Sequence, residues 1–515
     1  MTPKRTVALL VLLTLAAACP AAAQEQPRFG GVLKAAMIGE PPSLDLHWTT
    51  AVITQQITWH VYETLFTYDR DFNPIPMLAE SADVGDGGRR VTIALRRGVR
   101  FHNGKEMTAA DVVASLTRWG ARATPAKPVW KSVEAVTAKD PYTVVIHLKE
   151  PSGSLILALA RPNSGAAIFP KDVVERAAAD GQITEFIGTG PFRFVEHKPD
   201  RHIKLARYKE YAARPETANG YGGRRTAYVD EILFLPVPDV SVRVAGVETG
   251  EYHYAQQLKG DLYDRIKAMP GLEPVILKPY GWATAVLNTK QGLMTDKRLR
   301  QAFLAALDME PIMAAGFGHP SFWRLDHSVH YKEQVWYSMA GAELYNQKNK
   351  EKARRLMREA GYTSQPIRWI TTKEYDWMYK NALVAKQQLE AVGFAIDLQV
   401  VDWATLVQRR NKPELYEVFS TGFTFNVDPA LSTSLQCNWP GWWCHPEKEK
   451  LLEAMAREID VKKRKDLMDR VQTIFYDDVP RVKFGDYFPL DARRKELRGF
   501  QPTPELFFWN TWLAP

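Results

Sequence analysis

The residues best equipped for chemistry sit close together. Cys437-Asn-Trp-Pro-Gly-Trp-Trp-Cys-His-Pro-Glu447 carries two cysteines, three tryptophans and a histidine in eleven residues. A metal site, a haem attachment, a redox pair or a stapled loop presenting aromatic faces would each use such a composition. Haem attachment needs C-x-x-C-H, and here six residues separate the cysteines. Zinc held by Cys437, Cys444 and His445 lacks an evident fourth donor and suits a reducing compartment better. Elsewhere, G-x-S-x-G and H-E-x-x-H are absent. Gly98 to Glu106 imitates a phosphate loop, but has five intervening residues and places Glu106 where Ser or Thr would hold magnesium. Gly188-Thr-Gly190-Pro-Phe-Arg193 lacks the third glycine of a dinucleotide loop. Both read as turns, and scattered Asp and Glu residues read as surface charge.

The compartment narrows the choice. Lys4 and Arg5 precede the apolar run Val7 to Leu15, which leads into Ala21-Ala22-Ala23. That order is a secretory signal peptide over residues 1–23, and the run falls short of the ~20 apolar residues a spanning helix needs. Cys19 offers a lipid-anchored alternative, but Ala16 stands where a lipobox usually has Leu, so the soluble periplasmic form is favoured. Cleavage removes Cys19 and leaves Cys437 and Cys444, whose expected state in an exported chain is a disulfide. The formal charge of +8 falls to +6 once Lys4 and Arg5 are gone, and no basic run suggests nucleic acid. Fifteen tryptophans could serve a core or a site for flat, apolar ligands.

The elements that must position these residues alternate between strand and helix. Gly31 to Met37, Val91 to Leu95, Tyr142 to Leu148 and Ala395 to Val401 read as strands. Val52 to Phe66, Leu299 to Leu307, Lys350 to Ala360, Ala382 to Val392 and Arg464 to Phe475 read as helices. Thr108-Ala-Ala-Asp111 is a capping box, and Gly361 and Gly393 stand where a helix end wants positive φ. Strands interleaved with helices, without a strict βαβ period, predict a mixed α/β protein of several lobes.

Gly30-Gly-Val-Leu, Glu40-Pro-Pro-Ser-Leu-Asp45, Tyr62-Glu-Thr-Leu-Phe66 and Pro76-Met-Leu-Ala-Glu-Ser81 occur in that order. Arg97 to Lys105, Thr108 to Val112, Gly188-Thr-Gly-Pro-Phe192, Asp296 to Asp308 and Glu359-Ala-Gly-Tyr362 follow. With these blocks the chain resembles the extracellular solute-binding proteins of family 5, the dipeptide, oligopeptide and nickel-chelate receptors of ABC importers. The resemblance implies an α/β, type II periplasmic-binding-protein fold: two lobes on a hinge, with a subdomain inserted in lobe I. Lobe I would comprise 28–66, 187–280 and 487–515, the insert 67–186, and lobe II 281–486. A peptide-like or small organic solute would be captured between closing lobes of a monomer. Delivery to a permease with its ATPase would follow, with no cofactor and no covalent chemistry.

Peptide-binding relatives carry an aspartate three residues before an Asp/Glu-Pro pair, where it meets the peptide ammonium. In Gly422-Phe-Thr-Phe-Asn-Val-Asp428-Pro429 that place holds Phe425, followed by Asn426. A phenyl ring cannot neutralise an ammonium, so Asp428 would have to turn inward or the ligand would differ, aromatic or anionic solutes being favoured. The other expected cleft residues are Trp403, Arg410, Trp282, Trp48 and His47, with Trp439, Trp442 and Trp443 as a disulfide-held aromatic wall or lid. Alternatives are a nickel-chelate receptor using His47 or His445, an exported hydrolase, and a chaperone-like holder of unfolded chains.

Overall fold

The computed structural model describes residues 26–177 and 181–515; the expected leader, with Cys19, lies outside them. Three sheets organise the chain. Leu33, Ala35 and Met37 are buried and seat the strand Val32–Met37 at the centre of a seven-stranded mixed sheet. It runs parallel to Glu231–Pro236 and Tyr254–Leu258, and four further strands pair antiparallel outside these. The long crossover between Val32–Met37 and Glu231–Pro236 contains a separate four-stranded antiparallel sheet, Ala79–Gly85, Arg90–Leu95, Thr143–Leu148 and Val133–Asp140. Its own apolar core is built around Ile93, Leu116, Trp119 and Ile146.

A six-stranded sheet forms the second lobe. Gly281–Leu287 lies between Val418–Thr424 and Arg481–Tyr487, antiparallel to both, and Pro366–Thr371 runs parallel to Ala395–Val400 and Val418–Thr424. The chain passes from the seven-stranded sheet to this one between Ile276 and Gly281, and returns between Tyr487 and Leu490. Two short connectors between two sheets are hinge geometry. Gly281 faces both Thr424 and Tyr487 in register, so the hinge and the C-terminal ends of the parallel strands share one end of the sheet. That end is where open α/β sheets form ligand crevices.

Local signals account for many boundaries. The Thr108 amide donates to the Asp111 carboxylate (2.8 Å) and opens the helix Ala109–Arg122. Gly361 and Gly393 adopt φ of 71° and 111° after the helices Lys350–Glu359 and Asp376–Glu390. The latter helix begins six residues earlier than its apolar spacing predicts, and Val461–Asp478 begins three earlier, capped by Asp460. One helix is much shorter than expected. Val52–Thr58 stops well before Phe66 because the carbonyls beyond it are taken by a distant turn. Gly190 N–H donates to Val61 O (2.9 Å) and Phe192 N–H to His60 O (3.1 Å). A Cβ on Gly188 would lie 2.0 Å from Val61 O, so only glycine lets these backbones approach.

Candidate functional site

The strand Val418–Thr424 runs out at the hinge, where Phe425 N–H donates to Tyr280 O (2.6 Å). This fixes the Phe425 ring between Tyr331, 5.5 Å away in its own lobe, and Phe72, 4.3 Å away across the cleft (centroid distances). Around that contact lies a cavity with walls from both lobes. Tyr68, Phe72, Arg161, Asn163, Tyr221 and Glu505 stand on the first side, and Thr424 to Val427 with Leu431 on the second. Its volume is about 30 Å³, room for about two waters. A solute of any size must therefore part the walls.

Two charges face this space. Burial pushes the Glu505 carboxyl up to about 7, against the pull of Arg161 and the neighbouring Gln55 amide. Burial likewise lowers the Arg161 guanidinium, against the pull of Tyr68 and Glu505. Neither residue was legible as a site residue. Glu505 is one acid in an aromatic tail and Arg161 one base in a helix-ending turn, and only tertiary folding brings them together.

Asp428 is committed elsewhere. It is fully buried, accepts from Arg464 (2.7 Å) and caps Ala430 N–H (2.9 Å). Arg464 also donates to Ser154 Oγ (3.0 Å), so this pair ties the second lobe to the four-stranded-sheet region. Asn426 braces the same turn, accepting from Asp428 N–H and donating to Leu431 O.

A second group assembles on one face of the six-stranded sheet. Asp402 caps the helix Trp403–Arg409, and Trp403 meets Tyr375 edge-on at 4.9 Å. The Arg410 guanidinium lies 5.7 Å from the Trp403 ring and 5.4 Å from Trp439. Trp439 packs on Phe423, which also meets the buried Trp282 at a tilt, while Arg481 sits 5.4 Å from both Phe423 and Trp439. Arg481 is 1 % exposed and all three of its guanidinium nitrogens lack hydrogen-bond partners among the described residues. Burial pushes it down to about 9, with only Tyr416 favouring the charge. Burial lowers Arg410 as well, and its Nε has no hydrogen-bond partner among the described residues.

Cys437 and Cys444 are joined in a disulfide with Cα atoms 4.5 Å apart. The loop they close divides its tryptophans. Trp439 faces the sheet, whereas Trp442 and Trp443 line a separate concavity of about 580 Å³ with Lys290, Arg300, His445 and Asp478. Trp443 is buried there, donating to Asp478 (2.6 Å). So the loop contributes one tryptophan to the Arg410–Arg481 group and two to a different surface. His47 is fully buried, with Nε2–H donating to Ala167 O (3.1 Å), and burial lowers it to about 3. Trp48 beside it is 43 % exposed. His445 caps the helix Pro446–Arg457. Among the described residues no three His, Cys, Asp or Glu side chains converge as a metal site, and no helix is long and apolar enough to cross a membrane.

Residues 73–441 match the family described as bacterial extracellular solute-binding proteins, family 5 Middle. The chain is 29% identical over 494 residues to a probable peptide ABC transporter periplasmic-binding protein, y4tO, of Sinorhizobium fredii, covering 90% of each. Its fold is similar to that of DppA, an ABC transporter-associated periplasmic binding protein of Helicobacter pylori in complex with the peptide STSA. There the TM-score is 0.82 at 20% identity, over 95% of this chain and 99% of that one. The oligopeptide-binding protein AppA of Bacillus subtilis, in complex with a nonapeptide, superposes with a TM-score of 0.81 at 23% identity, over 95% and 100%. The two sheets on a double-stranded hinge are therefore a type II periplasmic-binding-protein fold.

Proposed function

From the premise that this chain belongs to the bacterial extracellular solute-binding proteins of family 5, we propose that it is the periplasmic receptor of an ABC importer. It captures a peptide-like or small organic solute between its lobes and presents the closed form to a permease coupled to an ATPase. It acts as a monomer, by binding without covalent chemistry. Lobe I comprises 28–66, 187–280 and 487–515, lobe II 281–486, and 67–186 is the subdomain inserted in lobe I. One observation carries this reading: a single cavity takes its walls from both sides of the hinge, with Phe425 meeting Phe72 across it. Closure energy is then ligand-dependent, because a solute bridging both walls stabilises only the closed state.

The ligand class follows from Phe425. A free peptide ammonium finds no carboxylate at that position, and Asp428 is neutralised by Arg464. Trp403, Trp439 and Phe423 with Arg410 and Arg481 offer aromatic faces and positive charge on the same lobe. Aromatic or anionic solutes suit these groups better than long peptides. A thermal-shift screen with peptides, amino-blocked peptides, sugars and aromatic acids, followed by small-angle scattering on each hit, tests the reading. A true solute raises the melting temperature and reduces the radius of gyration together. Hits that stabilise without compaction would refute capture by closure.

A further inference from the structure

Glu505 and Arg161 reach the same interlobe cavity from different parts of lobe I, and each is anchored independently. The Glu505 backbone N–H donates to the Tyr221 hydroxyl (3.2 Å). Arg161 Nε donates to the carbonyl of Asn163 (2.9 Å). The two side chains attract each other, yet among the described residues neither joins an ion pair. Gln55 is fully buried, and its amide lies against the Glu505 carboxylate. Opposite charges lining one cavity ordinarily pair, because a charge drawn out of water without a partner is costly. Here the two line one cavity without pairing among the described residues, which is how a site is preorganised for a ligand that supplies both missing partners.

Resting on the receptor reading above, we propose that Glu505 and Arg161 are a two-charge clamp for a compact zwitterion. The ligand's ammonium would sit against Glu505 and its carboxylate against Arg161, with Phe425 and Phe72 closing over the apolar remainder. The first lobe thus supplies the carboxylate that the second lobe lacks at Phe425. Both charges must be borne a few atoms apart, as in a free amino acid or dipeptide; a long peptide with distant termini satisfies one at most. The Gln55 amide beside Glu505 is placed to hold that carboxylate in position for the group that meets it. The charged and titratable groups facing Glu505 are Arg161, Tyr68, Tyr221 and Tyr280. All three tyrosines stay neutral in the physiological range, since burial raises them far above it. An ammonium ligand needs Glu505 ionised, and Glu505 titrates near 7. Binding should therefore tighten from pH 6 to pH 8.

The test is calorimetric titration of the full mature chain with the twenty free amino acids and a set of dipeptides. Each is compared with its N-acetyl and C-terminal amide counterparts and with a pentapeptide. At least one free zwitterion should bind, and blocking either end should weaken it at least tenfold. Glu505→Gln should weaken the free form at least tenfold, abolish the pH dependence and leave the N-acetyl form within twofold. Arg161→Met should erase the preference for the free acid over the amide, and Arg161→Lys should restore part of it. Unchanged melting temperatures in the variants separate lost recognition from lost folding. Affinity within twofold of wild type in both Glu505→Gln and Arg161→Met would overturn the clamp. So would silence of every zwitterion while another solute class closes the lobes, an outcome that leaves the receptor reading standing. If no solute of any class closes the lobes, the receptor reading falls and the clamp with it.

Discussion

Replacing Arg481 with methionine should make the protein more stable. The guanidinium is 1 % exposed, without hydrogen-bond partners among the described residues, and is pushed far down from its usual range, to about 9, by burial. A shift of that size corresponds to roughly 5 kcal/mol of penalty on the charged form, at 1.36 kcal/mol per pKa unit. The sign is that of a cation disfavoured by folding. The penalty is fully present below pH 9 and is relieved only as pH rises above it toward the ordinary arginine range. Methionine removes it but gives up the contacts with Phe423 and Trp439, each worth about 0.5–2 kcal/mol. The net expectation is a gain of about 1–4 kcal/mol at pH 7.5, read as a higher urea midpoint with an unchanged slope. Wild type should also gain stability relative to Arg481→Met between pH 9 and pH 10. A loss of more than about 1 kcal/mol in the variant would refute the reasoning, since it would mean that the guanidinium is satisfied in the folded protein.

Other perturbations have equally definite outcomes. Asp428→Asn strands Arg464 in the interior and should cost about 3–5 kcal/mol in a denaturant titration. Serine at both Cys437 and Cys444 should cost about 2.5 kcal/mol, as expected of so short a loop, and should alter tryptophan emission through Trp439 and Trp442. Gly188→Ala forces a Cβ onto the Val61 carbonyl and should lower stability by more than about 2 kcal/mol. Its effect should appear as loss of amide protection at Gly190 and Phe192, whose N–H groups bond that segment.

Features carried by neighbouring residues were legible in the sequence. The Thr108–Asp111 box, the glycines at 361 and 393, the strand Val32–Met37 and the helix opening at Trp403 each depend on local spacing or φ. The Cys437–Cys444 bridge followed from compartment and count. What depends on distant partners was not legible. The end of the helix at Thr58 is set by Gly188 and Gly190, and no residue inside 52–66 announces it. The division of Trp439 from Trp442 and Trp443 arises because the loop turns at Gly441 and Trp442, both at positive φ. Glu505 and Arg161 share a cavity only because the C-terminal segment returns to the first lobe after the second hinge crossing.

The central claim is that a solute is held between the lobes, against walls contributed by each. Its most direct test is ligand-induced stabilisation in wild type, Phe72→Ala and Phe425→Ala, with one solute at 100 times its wild-type dissociation constant. Wild type should gain about 2.7 kcal/mol, and each alanine variant should lose most of that gain although the two residues belong to opposite lobes. Undiminished stabilisation in either variant would contradict the account and place the ligand elsewhere.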